Sequence, residues 1–218
     1  MTSFIDTFWR KRLESCREAL IKNNFEVYIA DDVNQAKTIF FEEIFPTIQA
    51  KSASWGDSLT FHSTGILDQL RKNKEIKIIE TFAENISREE IIERRRQALL
   101  VDLFFTGSNA VTERGQLINL DMVGNRVGAI TFGPRHVVLI IGRNKIVTSL
   151  EQAKERIKTL AAPANAIRHT GFKTPCMKTA HCYDCNSPDR ICNTWVITEK
   201  SFPKGRVKII LLNSDGGL

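Results

Sequence analysis

The apolar positions of this chain fall into two alternating rhythms. Ile5, Trp9, Leu13, Cys16 and Leu20 recur in steps of three and four, the face of an N-terminal helix, which makes Cys16 a buried thiol. A β-rich run, Phe25-EVYIA, follows, and then a second helical face of Val33, Ala36, Phe40, Ile44 and Ile48 that ends around Pro46. Ser52-ASW reads as a short strand leading into Gly56-DSLT, and Ile66-LDQLRKN as a helix. Next come a strand at Ile76-KIIE, a helix opened by the capping box Ser87-REE, and a strand at Val101-DLFFT. His136-VVLIIG has no polar alternation and predicts a fully buried strand. Ser149-LEQ opens a capped helix to about Ala161, and Arg206-VKIILL is a late strand.

Strands that alternate with helices, and that are too apolar to have a wet face, predict an α/β domain with a mostly parallel sheet covered on both sides. Ligands are then expected at the carboxyl ends of the strands. Between 163 and 204 the periodicity lapses, so this stretch reads as an excursion, and 205–213 as a terminal strand that rejoins the sheet of one domain spanning 1–218.

With 42% hydrophobic residues over 218 positions, the chain can bury a core without covalent staples. No apolar run approaches a membrane span, and Met1-TSFIDTFWRKR has no apolar stretch typical of a secretory signal, so a cytoplasmic protein is expected. The net charge of +6 suits an anionic ligand, yet the basic residues are dispersed among acidic ones. Arg94, Arg95 and Arg96 fan around a helix and read as a solvated face, so nucleic acid is a minor hypothesis.

Four of the five cysteines crowd into the excursion: Cys176, Cys182, Cys185 and Cys192, spaced C-x5-C-x2-C-x6-C. The C-x2-C pair sets two thiolates at one turn, and the flanking cysteines complete a ligand set for zinc or an iron–sulfur cluster. Unmetallated thiols and disulfides are the alternatives, and an intracellular setting ranks disulfides last. His181, adjacent to Cys182, reads as a solvated loop residue.

The long string Asp102-LFFTGSNAVTERGQLINLDMVGNRVGAITFGPRHVVLIIGRNKIV resembles the central signature of LUD-domain proteins of the lactate-utilisation protein C family. The resemblance continues through Ala162-PANAIRH, Thr174-PC and Cys182-YDCNSPDRIC, covering about the last 120 residues in detail. It implies a three-layer fold of the NagB/RpiA/CoA-transferase type. It also implies an association with L-lactate oxidation beside iron–sulfur or flavin oxidoreductase subunits, which inclines the cysteine reading toward an iron–sulfur cluster, with zinc as the alternative.

On that fold, the loop after Val101-DLFFT supplies Asn109 and Glu113, with backbone N–H groups around Gly107. Related sugar-phosphate enzymes place acidic and amide groups at the matching strand end, so Glu113, with Asn109, is the candidate for proton transfer or nucleophilic attack. The competing reading makes Glu113 a solvent-facing turn residue beside Arg114. Asp102 reads as a cap of the strand start or as the partner of a nearby cation. Gly56, Ser58 and Thr60 are similar in placement to the loops that cradle phosphate in this superfold, although an ordinary strand-to-helix turn reads the same way. Asn125, Arg126 and Lys145 add donors and charge on the rim for a carboxylate or phosphate. Three functions follow as expectations: an anion-binding partner in lactate oxidation, a sugar-phosphate isomerase or acyl/CoA-transfer enzyme using Glu113, or a non-catalytic metal-binding subunit.

Overall fold

The computed structural model describes residues 4–169 and 171–218. Its strands are, in chain order, β1 (Glu26–Ala30), β2 (Ser52–Trp55), β3 (Lys77–Ile78), β4 (Leu103–Thr106) and β5 (Ala110–Thr112). There follow β6 (Leu117–Asp121), β7 (His136–Gly142), β8 (Ile146–Val147), β9 (Thr194–Thr198) and β10 (Val207–Leu212). Six of them form one wholly parallel sheet in the order β1-β10-β7-β4-β2-β3. The late strand β10 lies inside it, between β1 and β7.

The continuous apolar runs of β4, β7 and β10 are explained by burial on both faces. Phe104, Val137, Leu139, Ile209 and Leu211 face one core, with Leu13, Cys16 and Leu20 of the helix Phe4–Lys22. Leu103, Phe105, Val138, Ile140 and Ile210 face the other, with Ala36, Phe40, Phe61 and Leu70. Residues alternate between two cores because successive side chains of a strand point to opposite faces. The result is a helix–sheet–helix sandwich.

Several expected elements change in extent. The stripe of the first helix is buried only from Leu13 onward, and Ile5 is exposed. The second helix starts at an Asp32 cap, whose carboxylate accepts from the N–H groups of Asn34 and Gln35 at 2.8 Å, and then widens into a π-turn at Phe40–Ile44. The strand at Ile76-KIIE shrinks to the two residues of β3.

A second sheet, β8-β5-β6-β9, is where the sequence reading failed. The Asn/Gly block folds into the β5–β6 hairpin and the helix Asn125–Thr131. The segment read as an excursion returns as β9, antiparallel to β6. Beneath this sheet Ala110, Ile118, Leu120, Ala153 and Ile157 form a third, smaller core.

Candidate functional site

Because β2, β4 and β7 are parallel neighbours, the loops after them emerge side by side. These loops carry Asp57 and Ser58, Gly107 to Asn109, and Lys145. Together with the helices Arg88–Gln97 and Ala162–Arg168 they enclose a cleft of about 680 Å3. The loops touch: a Cβ on Gly107 would lie 2.9 Å from the Ser58 Oγ. Ser58 itself caps the short helix Leu59–His62, its hydroxyl accepting from the Phe61 N–H at 3.2 Å.

Of the residues expected to bind ligand, Ser58, Gly107, Asn125, Arg126 and Lys145 do line this cleft, as does Asn109, the expected companion of Glu113. Gly56 and Thr60 lie behind it. The Gly56 N–H is spent on the Phe105 carbonyl at 2.8 Å, so it is not part of a phosphate cradle. Its missing side chain serves another purpose, since a Cβ there would sit 3.0 Å from the Arg126 Cγ.

Arg126 is a structural hub, with no free fork on the rim. One Nη donates to the Asn109 Oδ1 at 2.8 Å and to the Leu120 carbonyl at 3.0 Å, and the other donates to the Asn119 Oδ1 at 3.1 Å. Asn109 in turn accepts from the Leu120 N–H at 3.0 Å. Its amide therefore fixes the loop, and its oxygen is already engaged. Asp121 accepts from the backbone N–H groups of Arg126 and Val127, so the first turn of the helix Asn125–Thr131 is satisfied from within the chain. Arg126 contributes charge to the cleft, while its donors tie the loop between β4 and β5 to β6.

Lys145 is also no rim residue: it is buried, with 5% of its surface exposed. Its Nζ has one hydrogen-bond partner, the Thr60 Oγ1 at 3.4 Å, and no carboxylate within ion-pair distance among the described residues. Residues after β10 fold back over it, and a Cβ on Gly217 would lie 3.2 Å from the amine. Burial first, then the neighbouring charges of Arg156 and Arg126, push its pKa down to about 7. Arg156 stands behind it, donating to the carbonyls of Asn109 at 2.8 Å and Asn144 at 3.1 Å, with a buried Nη2 that finds no acceptor among the described residues.

Arg95, Asp57, Arg168 and His169 line the cleft and were missed by the sequence reading. Arg95, taken as part of a solvated face, enters the cleft with its guanidinium 5.5 Å above the Phe82 ring. Its buried Nε lacks an acceptor, and burial disfavours its charged form. Asp57 pairs with Arg168 and stands 3.6 Å from the His169 Nε2. Desolvation, and then Arg168, hold the His169 pKa below its usual value against the pull of Asp57. A fanning run of arginines and a lone Arg-His pair carry no periodic signal, so only the fold could find them. In all, Arg88, Arg95, Arg126, Lys145 and Arg168 meet Asp57, Asp121 and Asp189 around the cleft, five cations against three carboxylates.

Glu113 is elsewhere. It sits at the turn of the β5–β6 hairpin, four residues from Asn109 and at the far end of β5, where the Arg12 Nε donates to its carboxylate at 2.7 Å. It is not among the residues that line the cleft. Burial, followed by the charge of this carboxylate, raises the thiol of Cys16 to about 12, which keeps it protonated. Asp102 does both things expected of it, accepting from the N–H groups of Lys51 at 2.9 Å and Ser52 at 3.1 Å before the strand and pairing with Arg135 at 3.3 Å.

Cys176, Cys182, Cys185 and Cys192 are all free and all line one small pocket, with Arg190 and Ile191. The Asp184 N–H points to the Cys182 sulfur at 3.5 Å. Among the described residues, however, no three His, Cys, Asp or Glu side chains are grouped so as to hold a metal ion. The donor types fit a soft metal; their arrangement here is not a ready cage. His181 is exposed, its ring packed edge-on against Tyr183.

No match is found among curated proteins. Among solved structures, the chain is similar to a DUF162 family protein from Deinococcus radiodurans, with 11% identity, a TM-score of 0.49, and coverage of 94% of this chain and 98% of that one. A likeness that loose carries no argument. The description of the LUD domain, by contrast, matches residues 13–212, nearly the whole chain, and the protein belongs to the LUD-domain family.

Proposed function

We propose that the protein binds a small organic anion in the cleft at the ends of β2, β4 and β7, as a lactate-utilisation protein C type member of its family. The observation that carries this reading is the cationic lining of the cleft, in which Lys145 is buried and Arg95 is half-buried with its Nε lacking an acceptor, neither of them in an ion pair among the described residues. Desolvating a cation without a direct ion-pair partner is costly, and a bound carboxylate or phosphate reduces that cost. The family's general association with lactate utilisation makes an organic acid the natural occupant, acting beside an iron–sulfur or flavin oxidoreductase. No helix of the described residues is long and apolar enough to cross a membrane, and the reading adopts a cytoplasmic setting and a NagB/RpiA/CoA-transferase type of fold. An isomerase or acyl-transfer enzyme built on Glu113 has no observation in its favour, since that carboxylate is engaged by Arg12 away from the cleft. Calorimetric titration with propionate, pyruvate and inorganic phosphate tests the reading. Binding is expected, weakened about ten-fold or more in Arg95→Gln by the loss of one charge-assisted contact. An absence of heat for all three anions would remove the proposal.

A second reading is favoured by the convergence of four free thiols on one pocket. Cys176, Cys182, Cys185 and Cys192 would hold zinc or an iron–sulfur cluster after the segment closes around it. Zinc would act as a structural cross-link, and a cluster would add one-electron transfer. Anaerobically purified protein is expected to carry stoichiometric zinc or iron, lost when Cys182 and Cys185 are both changed to Ser. Protein free of both metals, with all four thiols freely alkylated, would sink this reading.

A further inference from the structure

Resting on the anion-binding reading, we infer that Lys145 is a carbonyl-capturing amine, and that the cleft's ligand is a small oxo acid held by its carboxylate and bound covalently through an imine. The geometry comes first. The amine is buried yet lines the cleft, its one hydrogen-bond partner is a hydroxyl that neither neutralises nor permanently occupies it, and it has no carboxylate within ion-pair distance among the described residues. A structural buried lysine is normally tied to an acid, as Lys208 is in this protein, its Nζ 2.6 Å from the Glu26 carboxylate. Lys145 is surrounded instead by like charge: Arg126 to one side and Arg156 behind. Desolvation and a neighbouring cation are the two devices that make a lysine nucleophilic.

The chemical consequence is large. An amine brought to a pKa of about 7 is roughly half neutral at neutral pH, on the order of a thousandfold more than an ordinary lysine. The nitrogen lone pair attacks the carbonyl carbon, a proton passes from nitrogen to the former carbonyl oxygen, and the carbinolamine then expels that oxygen. Both hydrogens of the amine leave with it as water, and the C=N bond replaces C=O. No electrons are exchanged with an outside partner. Thr60 is placed to orient the amine through its hydroxyl. Arg95 offers charge to the carboxylate of the same molecule from the cleft wall, which a simple aldehyde would not use.

Borohydride trapping decides the matter. Full-length protein is incubated near neutral pH with pyruvate or glyoxylate, reduced with borohydride and mapped by peptide mass spectrometry, while propionate, which has no carbonyl, is titrated calorimetrically in parallel. The expected result is a reduced adduct on Lys145, formed at least about ten-fold faster than on any exposed lysine, suppressed by excess propionate and missing from Lys145→Met. The wild-type map is decisive even if that variant does not fold. If propionate binds but pyruvate leaves Lys145 no more modified than surface lysines, the covalent inference is overturned and the anion-binding reading survives. If propionate and pyruvate both fail to bind and no adduct forms, both are overturned.

Discussion

Burying an ammonium group without a carboxylate displaces its proton equilibrium toward the neutral amine, and Lys145 should therefore register in folding as well as in binding. Its folded pKa, about 7, lies below the unfolded value of 10.5. Between those limits the unfolded chain holds more protons than the folded one, so stability rises with pH across the window. Below it both states are protonated and the burial penalty is fully present. Lys145→Met is thus expected to be more stable than wild type at about pH 6, by on the order of a few kcal/mol, with the difference fading toward about pH 9.5. Urea unfolding of both proteins at the two pH values checks this, and a difference that does not change with pH contradicts it. Sequence could name Lys145 and Arg126 as basic residues in a suggestive loop. It could not foresee that the donors of Arg126 would be consumed by Asn109, Asn119 and Leu120, because those partners converge from the loop before β5 and from the strand β6. Nor could it single out Arg95 from the arginines on either side.

Helices and strands with long apolar faces were legible, and short half-exposed ones were not. β7 and β10 announce themselves as unbroken aliphatic runs, and Ser87 and Ser149 cap their helices as the pattern required, accepting from the N–H groups of Glu90 and Gln152. β9 is an edge strand with Trp195 and Ile197 both 37% exposed, so no burial alternation marks it, and β3 and β8 are only two residues long. In the β5–β6 hairpin, glycine supplies what the pattern hides. Gly115 has φ +79°, and a Cβ there would lie 2.7 Å from the Ala19 carbonyl carbon, because the turn lies directly against the first helix. Gly124 has φ +93° with nothing within 4 Å. Gly115→Ala is therefore expected to cost the conformational penalty plus the clash, about 3 kcal/mol, and Gly124→Ala only about 1 kcal/mol. Denaturant midpoints compare the two, and equal losses would mean that the turn does not pack on the helix as described.

At the scale of the molecule, one parallel sheet sorts the candidate residues by strand end. Asn109 and Glu113 are near neighbours in sequence, yet β5 carries them to opposite ends, so a motif read as one site divides into a cleft residue and the ion-pair partner of Arg12. Asp57 and His169, more than a hundred residues apart in the chain, meet at 3.6 Å. The cysteine-bearing segment takes part as well: Pro188, Asp189 and Ile191, between Cys185 and Cys192, form one wall of the cleft, and Ile191 also borders the cysteine pocket. The central claim is that this cleft is an anion site. It is tested most directly by a crystal structure of the protein with a saturating small carboxylate. The account predicts the anion inside the cleft, in contact with the Lys145 amine or the Arg95 guanidinium, whereas an anion seated only on surface cations, with none in the cleft, would contradict it.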